Sequence, residues 1–252
     1  RPAPGARRPG GRRGRRPRPD GGGGLRDGGA TVDGPVAAPG ACLAMIPPHL
    51  DLLLLDFDGV LARYERARRC AHLASTASCE PARVAEVLFA SGLETAYDSG
   101  ALATGDYLRR LGDGLGARVD EDAWIEARVA ACRAEPRVMA MVAAVARQLP
   151  IAVLTNNGPL MARAIPRIVP DLFPALDDRV LCSGMFGGRK PHAAVYAQAL
   201  ARLGGQAAGT LFVDDLFVNV QGARRAGLHA DTVRDARSMR RVLSRYGLLA
   251  AA

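Results

Sequence analysis

The chain has 252 residues, of which 48% are hydrophobic, and its 34 Lys and Arg against 25 Asp and Glu give a net charge of +9. This length allows one large domain or a core domain with a smaller insertion, and the apolar fraction excludes a fully disordered chain. No apolar run reaches the ~18 residues that a membrane-spanning helix needs. The five cysteines form no CxxC pair and are odd in number, which argues against a disulfide scaffold or a structural zinc site and favours a cytoplasmic location.

Residues 1–44 differ from the rest of the chain in composition. They hold nine Arg, three Asp, twelve Gly and seven Pro but few large aliphatic residues, so the segment is predicted to be disordered. Its charge would suit nucleic-acid phosphates, which leaves an Arg-rich nucleic-acid-binding protein as the non-enzymatic alternative. The segment has no aromatic residue to stack on bases, and the first methionine is Met45. We therefore favour a translated upstream region that the protein can lose.

The first half of the remaining chain is mostly helical in pattern. An apolar run at 50–55 closes with Asp56, which is typical of a buried strand in a parallel sheet. Residues 64–134 have helical spacing interrupted by glycines, the last of them at 112–116. We predict three or four short helices there and no strand, followed by a helix at 136–149.

Strands and helices alternate in the second half. Strands are predicted at 151–154, 179–183, 210–213 and 229–233, with helices at 191–203 and 218–226. Such alternation indicates βαβ units, so we predict an α/β fold with a Rossmann-like open parallel sheet. A small helical cap is predicted at 64–134, and a core domain is predicted to combine 45–63 with 135–252.

Polar side chains follow the strands at their carboxyl ends, where the ligand crevice of an open α/β sheet lies. They are Asp56, Asp58, Thr155, Asn156, Ser183, Asp214 and Asp215, with Lys190 as a further contributor. The acids would repel one another unless a cation lay among them, and all-oxygen ligation suits Mg²⁺. An EF-hand calcium loop is excluded because its twelfth position is Ala67 and not Glu. Lys190 is the only lysine in the chain, a compact charge that can neutralise a carboxylate or a phosphate.

Four short motifs resemble those of the haloacid dehalogenase-like (HAD) hydrolase superfamily and stand in the same order. They are Asp56-Phe57-Asp58-Gly59-Val60, Thr155-Asn156-Asn157, Lys190-Pro191 and Val213-Asp214-Asp215. The insertion at 64–134 is similar to the helical cap of subfamily I. The stretches 97–100, 154–157 and 183–191 are similar to bacterial sugar-phosphate phosphatases of the glucose-1-phosphate type. The resemblance covers about 50–235.

The resemblance implies a role for each matching residue. Asp56 would be the nucleophile that takes the phosphoryl group as an aspartyl-phosphate. Asp58 would be the general acid for the leaving alcohol and then the general base for water. Thr155 and the backbone around Asn156 would bind the phosphoryl oxygens, while Lys190 would offset the negative charge.

The resemblance also implies a set of Mg²⁺ ligands. Asp56, the carbonyl of Asp58, and Asp215 would hold the ion, with Asp214 and Asn219 in support. The Asp214-Asp215 pair stands where many relatives have Gly-Asp, so the choice of Asp215 over Asp214 as the direct ligand stays open at this point.

The predicted function is Mg²⁺-dependent hydrolysis of a small phosphate monoester, such as a sugar phosphate or a similar metabolite. A 2-haloacid dehalogenase, which uses the same nucleophile on carbon, and a sugar-phosphate mutase are the alternatives within enzymes. Asp58 favours the phosphatase, because an alcohol needs a proton to leave and a halide does not.

Overall fold

The structure is a computed structural model that describes residues 48–250, so the predictions for 1–44 lie outside it. Within this range the strands are β1 (Leu52–Leu55), β2 (Ala62–Tyr64), β3 (Cys132–Ala134), β4 (Ile151–Thr155), β5 (Val180–Cys182), β6 (Thr210–Asp214) and β7 (His229–Thr232). The α-helices of the same range are α1 (Arg66–Ala77), α2 (Pro81–Ala85), α3 (Leu93–Asp98), α4 (Thr104–Leu115), α5 (Glu121–Ala131), α6 (Pro136–Ala146), α7 (Met161–Ile168), α8 (Ala193–Leu203), α9 (Phe217–Arg225) and α10 (Ala236–Arg245). None of these helices is long and apolar enough to cross a membrane.

The main sheet has five parallel strands in the order β5-β4-β1-β6-β7. The predicted α/β fold with an open parallel sheet is confirmed, and each strand lies within two residues of its predicted position. β1 is central and fully buried. Leu53 and Leu55 pack into one apolar core, while Leu52 and Leu54 pack into a second core. Alternate side chains of a strand point to opposite faces, which is why an uninterrupted run of leucines suits this position.

Helices α1 to α5 lie in the segment 64–134, which we call the helical insertion. α1 packs against α5, and α5 packs against α7 beyond the insertion. The stretch Glu86–Ala90 continues α2 as a single π-helical turn. The helical character of the segment agrees with the prediction, whereas its division from the core as a separate cap domain stays a prediction.

The structure differs from the sequence prediction in three local details. β3 is a strand inside the segment where none was predicted, and it pairs antiparallel with β2, Tyr64 opposite Cys132. Strands of three residues are too short to show an alternating pattern. Five α-helices, α1 to α5, lie where three or four were predicted, and the break predicted at 112–116 falls where α4 ends, at Gly116 with φ of 69°. Helix α7 has no counterpart in the sequence prediction, because Pro166 inside it is a helix-breaking signal.

Candidate active site

The carboxyl edge of the main sheet carries most of the predicted site residues. Asp56 follows β1, Thr155 ends β4 and Asp214 ends β6. Parallel strands in register bring these ends together. Beside them is a cleft of about 610 Å³, whose lining includes Asp56, Asp58, Thr155, Asn156, Asp215 and Asn219. Lys190 and Asp214 are buried beside this lining.

Lys190 connects two of the acids. Its Nζ lies 2.9 Å from Oδ1 of Asp56 and 2.7 Å from Oδ2 of Asp214. Burial acts to lower the pKa of Lys190, but the two carboxylates raise it above the ordinary value, so the amine stays charged. Burial also raises the pKa of Asp56, and Lys190 opposes that shift. The lysine therefore compensates for two buried carboxylates at once.

Asp214 is surrounded by hydrogen-bond donors. Nδ2 of Asn219 lies 3.1 and 3.0 Å from its two oxygens, and the main-chain N–H of Leu216 donates to Oδ1 at 2.8 Å. Together with Lys190 these donors occupy both oxygens of a carboxylate that has no exposed surface. Asp214 is thus suited to hold Lys190 and Asn219 in place.

Asp215 has a different environment from its neighbour. It is partly buried and lines the cleft, and burial, followed by the charge of Asp214, raises its pKa. One oxygen from each of Asp56, Asp214 and Asp215 lies within 4.8 Å of the others. Gly59 has φ of +84° and packs so closely that an added Cβ would overlap the carboxylate of Asp215. A set of crowded carboxylate oxygens of this kind fits Mg²⁺.

Asp58 is held by the helical insertion. Nη2 of Arg128, on α5, donates to both oxygens of Asp58 at 3.1 and 2.9 Å. Nδ2 of Asn157 lies 3.2 Å from the same carboxylate. Arg128 is 2% exposed, and its guanidinium carbon lies 4.2 Å from the ring centroid of Tyr64. Sequence reasoning missed Arg128, because one Arg among many, 70 residues from Asp58, gives no local signal.

The residues after β4 have separate tasks. Oγ1 of Thr155 accepts a hydrogen bond from Nδ2 of Asn157 at 2.8 Å. The side chain of Asn156 donates to the carbonyl of Lys190 and accepts from its main-chain N–H, at 3.1 and 2.8 Å. Asn156 therefore fixes the backbone that carries the lysine, and the residue also lines the cleft.

Ser183 does not join the cleft, contrary to the prediction. Its hydroxyl donates to the carbonyl of Asp98, the last residue of α3, at 2.9 Å. Asp98 in turn accepts the main-chain N–H of Gly158 at 2.9 Å. The end of β5 is therefore used to attach the helical insertion.

Comparison with known proteins agrees with this arrangement. A family model described as haloacid dehalogenase-like hydrolase matches residues 50–227. The chain thus belongs to the haloacid dehalogenase-like hydrolases.

Solved structures show the same fold at low identity. A HAD family enzyme from Bacteroides thetaiotaomicron, in complex with magnesium and inorganic phosphate, is 16% identical with a TM-score of 0.59, covering 73% of this chain and 93% of that one. A predicted HAD-like family hydrolase from Porphyromonas gingivalis is 21% identical with a TM-score of 0.63, over 77% and 98% of the two chains. L-2-haloacid dehalogenase from Xanthobacter autotrophicus is 22% identical with a TM-score of 0.52, over 73% and 77%. A search of curated proteins gives no match.

Proposed function

We propose that this hydrolase cleaves small phosphate monoesters through an aspartyl-phosphate on Asp56 and requires Mg²⁺. The observation that carries the proposal is a second carboxyl group, Asp58, which lines the same cleft as Asp56 and has two positioned hydrogen-bond partners. A leaving alcohol needs a proton donor at this place, whereas a leaving halide does not. The magnesium and phosphate of the Bacteroides thetaiotaomicron structure support the same choice.

In the first step, a carboxylate oxygen of Asp56 attacks phosphorus, and the bond from phosphorus to the alcohol oxygen breaks. Asp58 gives its proton to that oxygen as it leaves. In the second step, Asp58 takes a proton from water, the water oxygen attacks phosphorus, and the bond to Asp56 breaks to release phosphate. Lys190, 2.9 Å from Asp56, offsets the negative charge of the reacting groups, and Thr155 and the main chain of Asn156 bind the phosphoryl oxygens. Phosphoryl transfer depends mainly on such positioning and charge compensation.

The carboxylates of Asp56 and Asp215 and the main-chain carbonyl of Asp58 would hold the Mg²⁺. When bound, the ion would supply positive charge against the nucleophile and the phosphoryl oxygens. Asp214, whose oxygens already accept hydrogen bonds from Lys190, Leu216 and Asn219, would support the site without binding the ion. The cytoplasmic location is also part of this proposal and depends on the odd, scattered cysteines.

The substitution Asp58→Asn tests the proposal. With Mg²⁺ present, turnover of alkyl phosphates should fall by ~10²–10⁴-fold, the usual contribution of general acid–base catalysis. Formation of aspartyl-phosphate from 4-nitrophenyl phosphate should fall less, because nitrophenolate leaves without a proton, and the phospho-enzyme should accumulate. The variant Asp171→Asn, at an exposed aspartate, controls for the loss of a carboxyl group. Intact alkyl phosphate turnover in Asp58→Asn would refute this role. Halide release from 2-haloacids by an enzyme that ignores phosphates would favour the dehalogenase.

A further inference from the structure

A second cavity continues from the cleft under the helical insertion. It has a volume of about 320 Å³, and Asp58, Tyr64, Asn156, Asn157 and Arg189 line both spaces. We call it the inner chamber. The groups that line it and carry charge, besides Asp58, are Arg66, Arg69, Glu94, Asp98, Arg128 and Arg189. Because Asp58 stands between the two spaces, a leaving alcohol protonated by Asp58 would extend into this chamber.

The chamber holds more positive than negative charge. Arg69 is paired with Glu94, and Arg128 with Asp58. Among residues 48–250, neither Arg66 nor Arg189 has a carboxylate within 4.0 Å, and the guanidinium of Arg66 instead lies over the ring of Phe89.

Asp98 is the acid that remains to balance these two arginines. Burial, followed by the charge of Glu94, raises the pKa of Asp98 to about 7, and Arg189 opposes the shift. At neutral pH this carboxyl group is therefore only partly ionised. The four guanidinium groups outnumber the carboxyl groups even when Asp98 is fully charged.

Two buried donors in the chamber wall lack an acceptor. Nε of Arg69 and Nε of Arg189 have no hydrogen-bond partner within the described part of the chain. Arg69 is 1% exposed, so its side chain belongs to the interior. An unpaired donor on a buried guanidinium group is costly, and together with the surplus positive charge it favours an anion as the occupant of the chamber.

We propose that the inner chamber binds an anionic group on the leaving alcohol, so that the preferred substrates are phosphate monoesters with a second oxyanion, and that Arg189 is the residue that selects them. This inference rests on the proposed function. Arg189 precedes Lys190, lines both cavities and has no carboxylate partner among residues 48–250. A bound carboxylate or phosphate would neutralise the surplus charge and accept hydrogen bonds from the guanidinium groups.

The test uses three phosphate monoesters with the same short carbon chain. They differ only at the end away from the scissile phosphate, where the first has a hydroxymethyl group, the second a carboxylate and the third a second phosphate. For each, kcat/KM is measured with the full chain and Mg²⁺, and the ratio of the anionic to the neutral ester is compared between variants. In the wild type this ratio should exceed ~10, with the better of the two anions identifying the oxyanion. In Arg189→Gln it should fall by ~10–100-fold, the value of a charge-assisted hydrogen bond, and Arg189→Lys should recover part of it.

Two further variants complete the test. Arg66→Gln, at the exposed rim of the chamber, should also lower the ratio of the anionic to the neutral ester. This variant leaves Arg189, the residue next to Lys190 in the chain, unchanged. Arg137→Gln, in α6 and outside both cavities, is the matched control and should leave the ratio unchanged. A wild-type ratio near 1, or equal ratios in Arg189→Gln and Arg137→Gln, would overturn the inference and leave the phosphatase proposal intact. Absence of turnover with 4-nitrophenyl phosphate as well would overturn both.

Discussion

Replacement of Lys190 by methionine would remove the ammonium group that lies between two buried acids. Lys190, Asp56 and Asp214 are 3%, 7% and 0% exposed, and the lysine Nζ lies within 2.9 Å of both carboxylates. Methionine fills a similar volume, so the change leaves charge uncompensated without creating a large cavity. Breaking a buried ion pair in this way costs ~3–5 kcal/mol. For a domain of this size such a loss lowers the melting temperature by about 6–20 °C.

The assay is urea unfolding of both proteins in EDTA, at several pH values. The folded-state pKa of Asp56, raised by burial to about 8, exceeds its unfolded value. Folded protein therefore binds this proton more tightly, and stability falls as pH rises from about 4 to about 8. Lys190 lowers the pKa of Asp56, so its loss should raise that folded-state pKa further, and the fall in stability should then continue above pH 8. The difference in unfolding free energy between the wild type and Lys190→Met should therefore be larger at pH 9 than at pH 5.

The double variant Lys190→Met/Asp214→Asn provides the decisive comparison. Asparagine removes the second buried charge and can still accept the hydrogen bond from the main-chain N–H of Leu216. The double variant should therefore be more stable than Lys190→Met alone, although neither should turn over substrate. Equal stability of Lys190→Met and the wild type would refute this account of the buried charges. A double variant that is no more stable than Lys190→Met would refute it as well.

Other changes have separate expected outcomes. Turnover should stop in EDTA and return with Mg²⁺, and Asp215→Asn should raise the Mg²⁺ concentration needed for half-activity more than Asp214→Asn does; equal effects would contradict the assignment of the direct ligand. Arg128→Met should slow alkyl phosphates more than 4-nitrophenyl phosphate, because it acts through Asp58, and an equal loss on both would show a structural role only. Gly158→Ala should lower the melting temperature and destabilise by ~1–3 kcal/mol, because the added Cβ would overlap the ring of Tyr97. Removal of residues 1–44 should leave melting and turnover unchanged, and a large loss of either would disprove their dispensability.

The sequence alone determined the parts that depend on local pattern. The leucines of β1 and the polar residues after β1, β4 and β6 predicted a parallel sheet with its reactive edge at Asp56, Thr155 and Asp214. Buried strands show as short apolar runs, and parallel strands align their carboxyl ends, so residues far apart in sequence can be assigned to one edge. The four motifs, one of which contains Lys190, and their order along the chain then indicated the family.

Only the tertiary structure decided which side chains meet across the helical insertion. Arg128 reaches Asp58, 70 residues away, and Ser183 reaches Asp98, 85 residues away. The positive surplus of the inner chamber depends on which arginines already have carboxylate partners, and composition does not contain that information. Helical periodicity shows which face of a helix is buried, but the partner of each buried charge is set by how the helices pack.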